Sequence, residues 1–413
     1  MEDRKIRVAI THGDTNGIGY ELIFKTFAEP EMLDLCTPII YGSPKVAAYH
    51  RKAMNTQANF SIISKAEDAQ DGRVNLLACF DDEVKVELGV PTRESGVAAL
   101  KALDRAMTDF RSQLFDVLVA CPVYPASMSD ANFTYRGLKD YSETSIGDGA
   151  KGVKMMINES LRVALATEGL ALKDVPSCIT EETLLACIRT VNASMKRDFR
   201  LSNPRIGVLA LNPVADGDEE RNVIGPTVCK AADEGINVYG PYAADEYFGQ
   251  NQYDAFDVTI AMYDDQAVIP FTTLMQTDGI YYMASLPLVC TAPALTPDFE
   301  AAGRGISDES ALRHAIFEAI DIVRNRAEYD APLANPLQKL YHEKRDESEK
   351  VRFSIPKKRE GFRPDRKPQG TPGQPSVQHP AQQPQVAAAA GKADVEPRDT
   401  TPRDEQPSTV AEA

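Results

Sequence analysis

The sequence predicts an α/β protein built on a largely parallel sheet. Short apolar runs that are typical of buried strands alternate along the chain with amphipathic segments long enough to form helices. This alternation indicates βαβ units, in which each helix crosses back over the sheet to begin the next parallel strand. The chain has 413 residues, of which 43% are hydrophobic and 26% charged, as expected of a globular protein with ample core.

The first half of the chain begins with a predicted strand at Ile6–Thr11, and a glycine-containing loop then leads into a predicted helix at about 21–27. A strand at 37–41 precedes a helix that begins near Pro44, because proline suits the first turn of a helix. Ser95 is the predicted N-cap of a helix whose apolar residues recur at helical spacing. The other strands predicted in this half lie at 60–63, 74–78 and 116–121.

The second half repeats the alternation. Thr180 is the predicted N-cap of a helix that reaches about Lys196, and another helix follows at about 220–234. An amphipathic helix at about 308–325 closes the predicted ordered part. The strands predicted in this half lie at 161–166, 205–211, 256–263 and 280–284.

The tail has a different composition. After Phe362 the sequence contains no Leu, Ile, Met, Phe, Tyr, Trp or Cys and is rich in Pro, Gln and Ala. Such a segment buries too little apolar surface to offset the entropy lost on ordering. We therefore expect an α/β region at 1–354 and a disordered tail at 355–413, either a solubilising extension or a partner-binding segment.

The charge balance excludes some classes of partner. With 45 Lys and Arg against 61 Asp and Glu, the formal net charge is −16, whereas nucleic acids and anionic membranes are bound by clustered Lys and Arg. Seven cysteines at irregular spacing, without a C-x-x-C pair, indicate reduced thiols. No run approaches the roughly 18 apolar residues of a membrane span, and no apolar signal segment precedes the first strand. A cytoplasmic protein is expected.

Polar residues mark one predicted strand end as a candidate site. Asp264, Asp265 and Gln266 follow the apolar run that begins at Phe256. In open α/β sheets, ligands bind at the carboxyl ends of strands. The alternative is a polar strand end with two solvated carboxylates.

A second candidate is the loop Gly13–Gly19, which lies between a predicted strand and a predicted helix. Glycines allow a ligand to approach the backbone, and a helix N-terminus favours anions. The spacing matches neither G-x-G-x-x-G nor a P-loop, so a structural turn is an equal alternative. His12, just before the loop, is interpreted as a structural histidine in preference to a metal ligand.

A family resemblance starts in this loop. Thr11-His-Gly-Asp-Thr-Asn-Gly-Ile-Gly-Tyr-Glu21 is similar to the opening signature of the PdxA family, the 4-hydroxythreonine-4-phosphate dehydrogenases. The resemblance implies two α/β domains around a cleft, related to isocitrate and isopropylmalate dehydrogenases, a homodimer, and NAD bound without a classical Rossmann fingerprint. The segment 303–308 is similar to part of the family's cofactor region. Further matches within about residues 5–330 are Tyr41-Gly42, Ser95-Gly96, 116–122, 161–165, 174–176, 211–213, Met262-Tyr263, Asp265-Gln266 and Leu286-Pro287.

The resemblance implies a metal-assisted oxidation of a secondary alcohol by NAD, followed by decarboxylation, with the divalent metal acting as a Lewis acid. The family binds this metal through three histidines, and the matching positions here are Gly169, Val214 and Asp264. Glycine and valine side chains have no donor atom, so only Asp264 retains one. The chain's five histidines lie far from these positions, at His12, His50, His314, His342 and His379.

The substrate positions implied by the resemblance are also altered. Leu138 and Lys139 stand where the family has His and Thr. Thr272, Tyr281 and Cys290 stand where the family has Lys, Asn and Arg. Losing a Lys and an Arg removes charge-assisted donors that an anionic substrate needs.

An acidic cluster offers replacement ligands. Asp216, Asp218 and Glu219, with Asp264 and Asp265, could form an oxygen-rich Mg²⁺ or Mn²⁺ site. The preferred alternative is a turn that places acidic residues at a helix N-terminus, where they complement the dipole.

Three hypotheses follow from this sequence. The favoured one is a degenerate PdxA-like protein that keeps the fold, and the homodimer with it, and binds a ligand or partner without metal-dependent oxidation. The second is an active NAD-dependent dehydrogenase with a rebuilt site, using the acidic cluster, Lys139 and Tyr281 on a different hydroxy acid. The third is an ordinary 4-hydroxythreonine-4-phosphate dehydrogenase of pyridoxal phosphate synthesis.

Overall fold

The computed structural model describes residues 4–80, 84–274 and 278–335. Within them a twelve-stranded sheet is the central element. Eight of the strand pairs are parallel, namely β1 with β2 and β5, β2 with β4, β3 with β4, β12 with β5, β10 with β7 and β8, and β8 with β9. The strands are β1 Ile6–Thr11, β2 Cys36–Gly42, β3 Ser61–Ile63, β4 Asn75–Ala78, β5 Val117–Ala120, β6 Val153–Ile157, β7 Arg162–Leu165, β8 Ile206–Leu209, β9 Val238–Tyr242, β10 Val258–Ala261, β11 Ile280–Ala284 and β12 Val289–Pro293. The predicted α/β class with a largely parallel sheet is confirmed.

Helices connect most of these strands. A π-helical turn, Glu220–Ile224, leads directly into one of them. The helices are α1 Gly19–Thr26, α2 Met32–Leu35, α3 Pro44–Ala53, α4 Arg93–Arg111, α5 Pro125–Asp130, α6 Leu138–Ile146, α7 Val175–Cys178, α8 Glu181–Arg197, α9 Gly225–Asp233, α10 Ala244–Gly249, α11 Asp264–Leu274 and α12 Ser310–Ala334.

The sheet consists of two parallel blocks that run in opposite directions. Its order is β3-β4-β2-β1-β5-β12-β11-β6-β7-β10-β8-β9. One block consists of β3, β4, β2, β1, β5 and β12, which are parallel to one another. The other consists of β7, β10, β8 and β9, which are also parallel to one another. Between the blocks, β11 is antiparallel to both β12 and β6, and β6 is antiparallel to β7. These reversals bring side chains from both blocks together at the centre of the sheet.

The register at the centre positions the candidate site. Tyr281 on β11 is paired with Ala292 on β12, and Met283 is paired with Lys154 on β6. Alternate residues of a strand point to the same face, so these four side chains share one face of the sheet.

A buried polar network attaches α12 to the rest of the fold. The Arg326 guanidinium donates through Nε to Asp198 Oδ1 at 2.7 Å and through a terminal nitrogen to the Tyr282 hydroxyl at 2.9 Å. Tyr282 donates in turn to Asp198 Oδ2 at 2.7 Å. The three residues come from α12, the end of α8 and β11, so the network ties two helices to the sheet.

Some predicted element boundaries require correction. Thr92, and not Ser95, is the N-cap of α4, and Ser95 occupies the N3 position of a reciprocal capping box. Both positions hold a hydroxyl residue, and only the backbone conformation distinguishes them, since Thr92 is extended. The strand predicted at 256–263 is β10, which ends at Ala261, and helix α11 begins at Asp264. Thr180 is confirmed as the N-cap of α8.

Within the part of the chain that the structure describes, no helix combines the length and the apolar character that a membrane span requires. The predicted boundary at 354 and the predicted disordered tail at 355–413 lie outside the described residues.

Candidate functional site

A cavity of about 250 Å³ lies at the centre of the sheet. Its apolar wall comes from α4, from the segment that follows β5, and from the start of α6. The sheet contributes Tyr281 and Ala292, which are paired between β11 and β12, and Met283, which is paired with Lys154 of β6. The charged residues of its lining are Arg136, Lys154 and Glu168. The cavity is thus an apolar chamber with a few charged groups, a common form for a small-molecule site.

Two lysines compensate the carboxylate of Glu168. Lys154 Nζ lies 3.1 Å from Glu168 Oε1, and Lys139 Nζ lies 3.9 Å from Glu168 Oε2. Lys139 also contacts Glu143 Oε1 at 3.2 Å. The Lys154 ammonium sits 4.6 Å from the centre of the Tyr281 ring, a cation–π distance. Both lysines therefore already have anionic partners in the folded chain.

Arg136 differs from these lysines. Its side chain is exposed and lines the cavity, and its backbone N–H donates to Asp140 Oδ2 at 3.2 Å. Its guanidinium makes no hydrogen bond or ion pair with any residue that the structure describes. Arg136 is therefore a cation at the cavity that is available to an anionic ligand.

The positions matched to the family's metal histidines do not form a ligand set. Gly169 and Asp264 are adjacent, and the Gly169 N–H donates to Asp264 Oδ2 at 2.8 Å. Val214 is 75% exposed and contributes only an alkyl side chain. One carboxylate that already accepts a backbone N–H does not meet the requirement of a divalent metal for several ligands. The residues at these positions do not fit the family's metal.

In the acidic segment 216–220, the carboxylates of Asp216, Glu219 and Glu220 accept hydrogen bonds from neighbouring groups. Asp216 accepts two hydrogen bonds from Arg221, at 2.7 and 2.6 Å, which lower the pKa of this carboxyl. Glu220 accepts from the backbone N–H groups of Leu211, Asn212 and Gly217, all between 2.8 and 2.9 Å. In the described parts of the chain, no group of three or more His, Cys, Asp or Glu residues is arranged to hold a metal ion.

The substrate positions implied by the resemblance are dispersed. Leu138 and Tyr281 line the cavity, and Lys139 lies next to it through Glu168. Thr272 is exposed on α11, whereas Cys290 is fully buried in the core. Burial raises the pKa of the Cys290 thiol to about 12, so this side chain stays neutral and is not a thiolate nucleophile.

The glycine loop has a structural role in this fold. A Cβ atom on Gly13 would lie 2.4 Å from the Pro122 carbonyl oxygen, and one on Gly19 would lie 2.0 Å from that of His12. The Asp14 carboxylate accepts from the Asn16 N–H at 2.9 Å and from the Ser95 hydroxyl at 3.0 Å. The glycines thus permit close packing of one backbone segment on another.

The segment 303–308 was matched to part of the family's NAD region. Its backbone donors at Gly305 and Ser307 are taken by the buried Glu21 carboxylate, at 3.3 and 2.7 Å. Lys25 donates to the Ser307 carbonyl oxygen at 2.5 Å. These two backbone donors are therefore not open to a phosphate group.

His12 lies in the core, next to the loop. Its ring is fully buried and stacks on Tyr20, with ring centroids 5.4 Å apart. Neither ring nitrogen forms a well-made hydrogen bond with a described residue, although the backbones of Gly13 and Ala98 lie close. Burial lowers the pKa of His12 to about 4, so the imidazole is neutral at physiological pH.

Sequence reasoning did not identify Arg136, Lys154 or Glu168. Lys154 lies in β6, a strand that was not predicted, although a lysine within the run Val153–Ile157 could have drawn attention. Glu168 immediately precedes Gly169, and the family resemblance points to Gly169 and not to its neighbour. Arg136 lies in a loop just before α6, where an exposed arginine gives no distinctive signal.

Comparisons of the chain with known proteins agree with one another. The family model described as pyridoxal phosphate biosynthetic protein PdxA matches residues 34–319. A 4-hydroxythreonine-4-phosphate dehydrogenase from Bacteroides thetaiotaomicron is 45% identical over 358 residues, which cover 86% of this chain and 98% of that protein. One from a Sulfurihydrogenibium species is 33% identical and covers 78% of this chain and 99% of the relative.

Solved structures give the same fold. The 4-hydroxythreonine-4-phosphate dehydrogenase from Burkholderia phymatum superposes with a TM-score of 0.62 at 24% identity, covering 78% of this chain and 99% of that one. A putative 4-hydroxythreonine-4-phosphate dehydrogenase from Salmonella typhimurium superposes with a TM-score of 0.65 at 23% identity, covering 77% and 100%. At these identities the structures establish the fold.

Proposed function

The chain belongs to the PdxA family of pyridoxal phosphate biosynthetic proteins, and we propose that within this family it is a small-molecule-binding protein without the metal-assisted oxidation. Its binding site is the central cavity. The relatives' names taken alone would suggest a 4-hydroxythreonine-4-phosphate dehydrogenase. The proposal departs from those names because of the residues that this chain has at the reacting centre.

The observation that carries the proposal is the contact between Gly169 and Asp264. These two of the three metal positions are joined by a hydrogen bond of 2.8 Å, and the third, Val214, is an exposed alkyl group. A metal at this place would have to compete with the Gly169 N–H for its single carboxylate ligand. Without the metal, the family's route of polarising an alcohol oxygen is not available to these residues.

The altered substrate positions support the same conclusion. Thr272 and Cys290 replace a lysine and an arginine, and Cys290 is buried in the core as a neutral thiol. A phosphorylated substrate needs charge-assisted donors, and these two positions no longer provide them.

A second candidate function is an NAD-dependent dehydrogenase that acts on a different hydroxy acid. It is favoured by the presence at the cavity of Tyr281 and Lys154, because a phenol and an ammonium are groups that can act as general acids. Of the acidic cluster assigned to this hypothesis from the sequence, Asp216 is held by Arg221, Glu219 by the Asn212 amide and Asp264 by the Gly169 N–H. This candidate therefore depends on the cavity residues alone.

The test is NADH formation by the purified full chain with 4-phosphohydroxythreonine and NAD, in the presence of Zn²⁺, Mg²⁺, Mn²⁺ or Co²⁺ in turn. The Bacteroides thetaiotaomicron relative, which is 45% identical, serves as the matched control under the same conditions. We expect turnover by the relative and none by this chain.

Turnover by this chain that a chelator abolishes would contradict the proposal and return attention to Asp264. Turnover of another hydroxy acid that survives the chelator, and is lost in Tyr281→Phe, would establish the second candidate in its place.

A further inference from the structure

Among the residues that the structure describes, the central cavity has one charged lining residue without an ionic partner, Arg136, and a predominantly apolar wall. From this we infer that it takes a small monocarboxylate with an apolar body. This inference rests on the proposed function, in which the cavity is a ligand site, and it adds the chemical class of the ligand. Three features of the cavity define the class of ligand: its volume, its apolar lining, and the ion pairs among its charged residues.

The volume and the wall set the size and character of the ligand body. At about 250 Å³ the cavity is smaller than the roughly 300–1,000 Å³ typical of pockets for drug-sized molecules. Leu103, Leu138 and Met283 are among its lining residues, together with alanines and prolines. Apolar surface of this kind favours an aromatic ring or a branched alkyl chain, because burying such a group releases its hydration water.

The pairing of charges sets the polar group of the ligand. Of the charged lining residues, Lys154 and Glu168 neutralise each other at 3.1 Å, which leaves Arg136. A carboxylate matches the guanidinium fork and can accept two parallel N–H bonds. The chain carries a formal net charge of −16, and its overall field repels anions. An anionic ligand therefore depends on the local attraction of Arg136.

The same groups disfavour a phosphorylated polyol. A phosphate dianion and several hydroxyls would need many donors, whereas Lys139 and Lys154 are already held by Glu143 and Glu168. Placing hydroxyls against an apolar wall would also cost their hydrogen bonds to water.

The experiment is isothermal titration of the full chain, without NAD or metal. The probes are benzoate and 4-methylpentanoate, the matched neutral amides benzamide and 4-methylpentanamide, and O-phosphothreonine. We expect both carboxylates to bind at least tenfold more tightly than their amides, and O-phosphothreonine to bind more weakly than either carboxylate.

Two variants assign the binding to the cavity. Arg136→Gln should weaken carboxylate binding about tenfold and leave amide binding unchanged, because only the charge-assisted contact is removed. Leu138→Asn should weaken both kinds of probe. The matched control is Arg324→Gln, on an exposed part of α12 with a side chain 52% accessible, which should change neither.

Tighter binding of O-phosphothreonine than of the carboxylates would overturn the inference, as would an Arg136→Gln variant that binds like the parent. No binding of any probe would overturn it as well. Because the titration contains neither NAD nor metal, each of these outcomes is independent of the turnover assay, in which only metal-dependent oxidation contradicts the proposed function.

Discussion

At Gly169 the backbone has a φ of +63°, in the left-handed region where a side chain is strained. A Cβ atom there would also lie 3.4 Å from the Arg136 Cβ. A histidine at this position would therefore be strained by the backbone conformation and would pack closely against Arg136. The Asp264 carboxylate holds this conformation by accepting a hydrogen bond from the Gly169 N–H.

We predict that Gly169→Ala lowers the free energy of unfolding by about 1 kcal/mol, because alanine is strained at this φ. The measurement is urea denaturation of both proteins. Gly249→Ala is the matched control, since Gly249 ends α10 and a Cβ atom there meets nothing within 4 Å. That control should be neutral or slightly stabilising. Equal effects of the two substitutions would contradict the role given to the conformation of Gly169.

His12 predicts a pH dependence of stability. Its pKa is about 4 in the fold and 6.5 as the ordinary value, so the unfolded chain takes up the proton first as the pH falls. The contribution of the neutral imidazole is fully present above about pH 6.5 and is lost progressively as the pH falls toward about 4. The free energy of unfolding should therefore fall by about 2 kcal/mol between pH 7.5 and pH 5 from this group alone.

Urea denaturation at several pH values tests this expectation. His12→Gln should reduce the dependence of the free energy of unfolding on pH, although the substitution also lowers stability by changing the core. Tyr20→Phe, which keeps the imidazole and its stacking partner, is the control that should lose stability without losing the slope. His50, whose pKa burial also lowers, adds a contribution of the same sign. An unchanged slope in His12→Gln would rule out His12 as its source.

At the scale of elements, the packing of α12 depends on the buried ion pair between Arg326 and Asp198. The side chains of Arg326 and Asp198 are only 7% and 1% exposed and lie 2.7 Å apart. Ser194 and Tyr282 also donate to the same Asp198 oxygen, at 2.5 and 2.7 Å. A fully hydrogen-bonded pair of this kind fixes how α12 and α8 lie against β11, and it makes the loss of one partner costly.

Arg326→Met should therefore lower the free energy of unfolding by about 3–5 kcal/mol, because it leaves the Asp198 carboxylate buried without a cation. Urea or thermal denaturation measures the effect. Arg324→Met, two residues earlier on the same helix, removes only an exposed pair with Asp321 and should cost less than about 0.5 kcal/mol. A small effect of Arg326→Met would mean that the surrounding hydroxyls satisfy Asp198 without the guanidinium.

Capping shows what local sequence can resolve at this scale. At α8, Thr180 and Thr183 form the two halves of one capping box, and the prediction placed the N-cap on the first of them, as the structure has it. At α4, Thr92 and Ser95 form the two halves of one capping box, and the sequence pattern is compatible with either as the cap. Local patterns thus located the helix and left its first residue uncertain by one turn.

The whole molecule is organised by the meeting of two oppositely directed blocks at β11 and β6. Tyr281 and Met283 of β11 and Lys154 of β6 reach the cavity because both strands lie between the blocks. At one edge of the sheet lies β3, where the side chain of Ile62 is 65% exposed to solvent. The sheet is therefore most protected at its centre, where the candidate site lies.

We predict that hydrogen exchange follows this arrangement. Amides of β11 should exchange only through global unfolding, since neighbours pair with this strand on both sides, whereas those of β3 should exchange through local opening and far faster. Exchange measured by mass spectrometry on peptides covering 280–284 and 61–63 provides the comparison. Similar protection of the two strands would show that the sheet opens as one unit.

The alternation of apolar runs and amphipathic segments was enough to establish the α/β class, because each element is specified by neighbouring residues. The order of residues was also enough to reveal the PdxA resemblance and to predict which positions correspond to the family's metal histidines. Tertiary structure decided the pairing of Lys154 with Glu168, the burial of Cys290, and the position of the Arg136 guanidinium away from any described anionic partner. These features depend on the register of strands distant in the chain, and local periodicity does not encode that register.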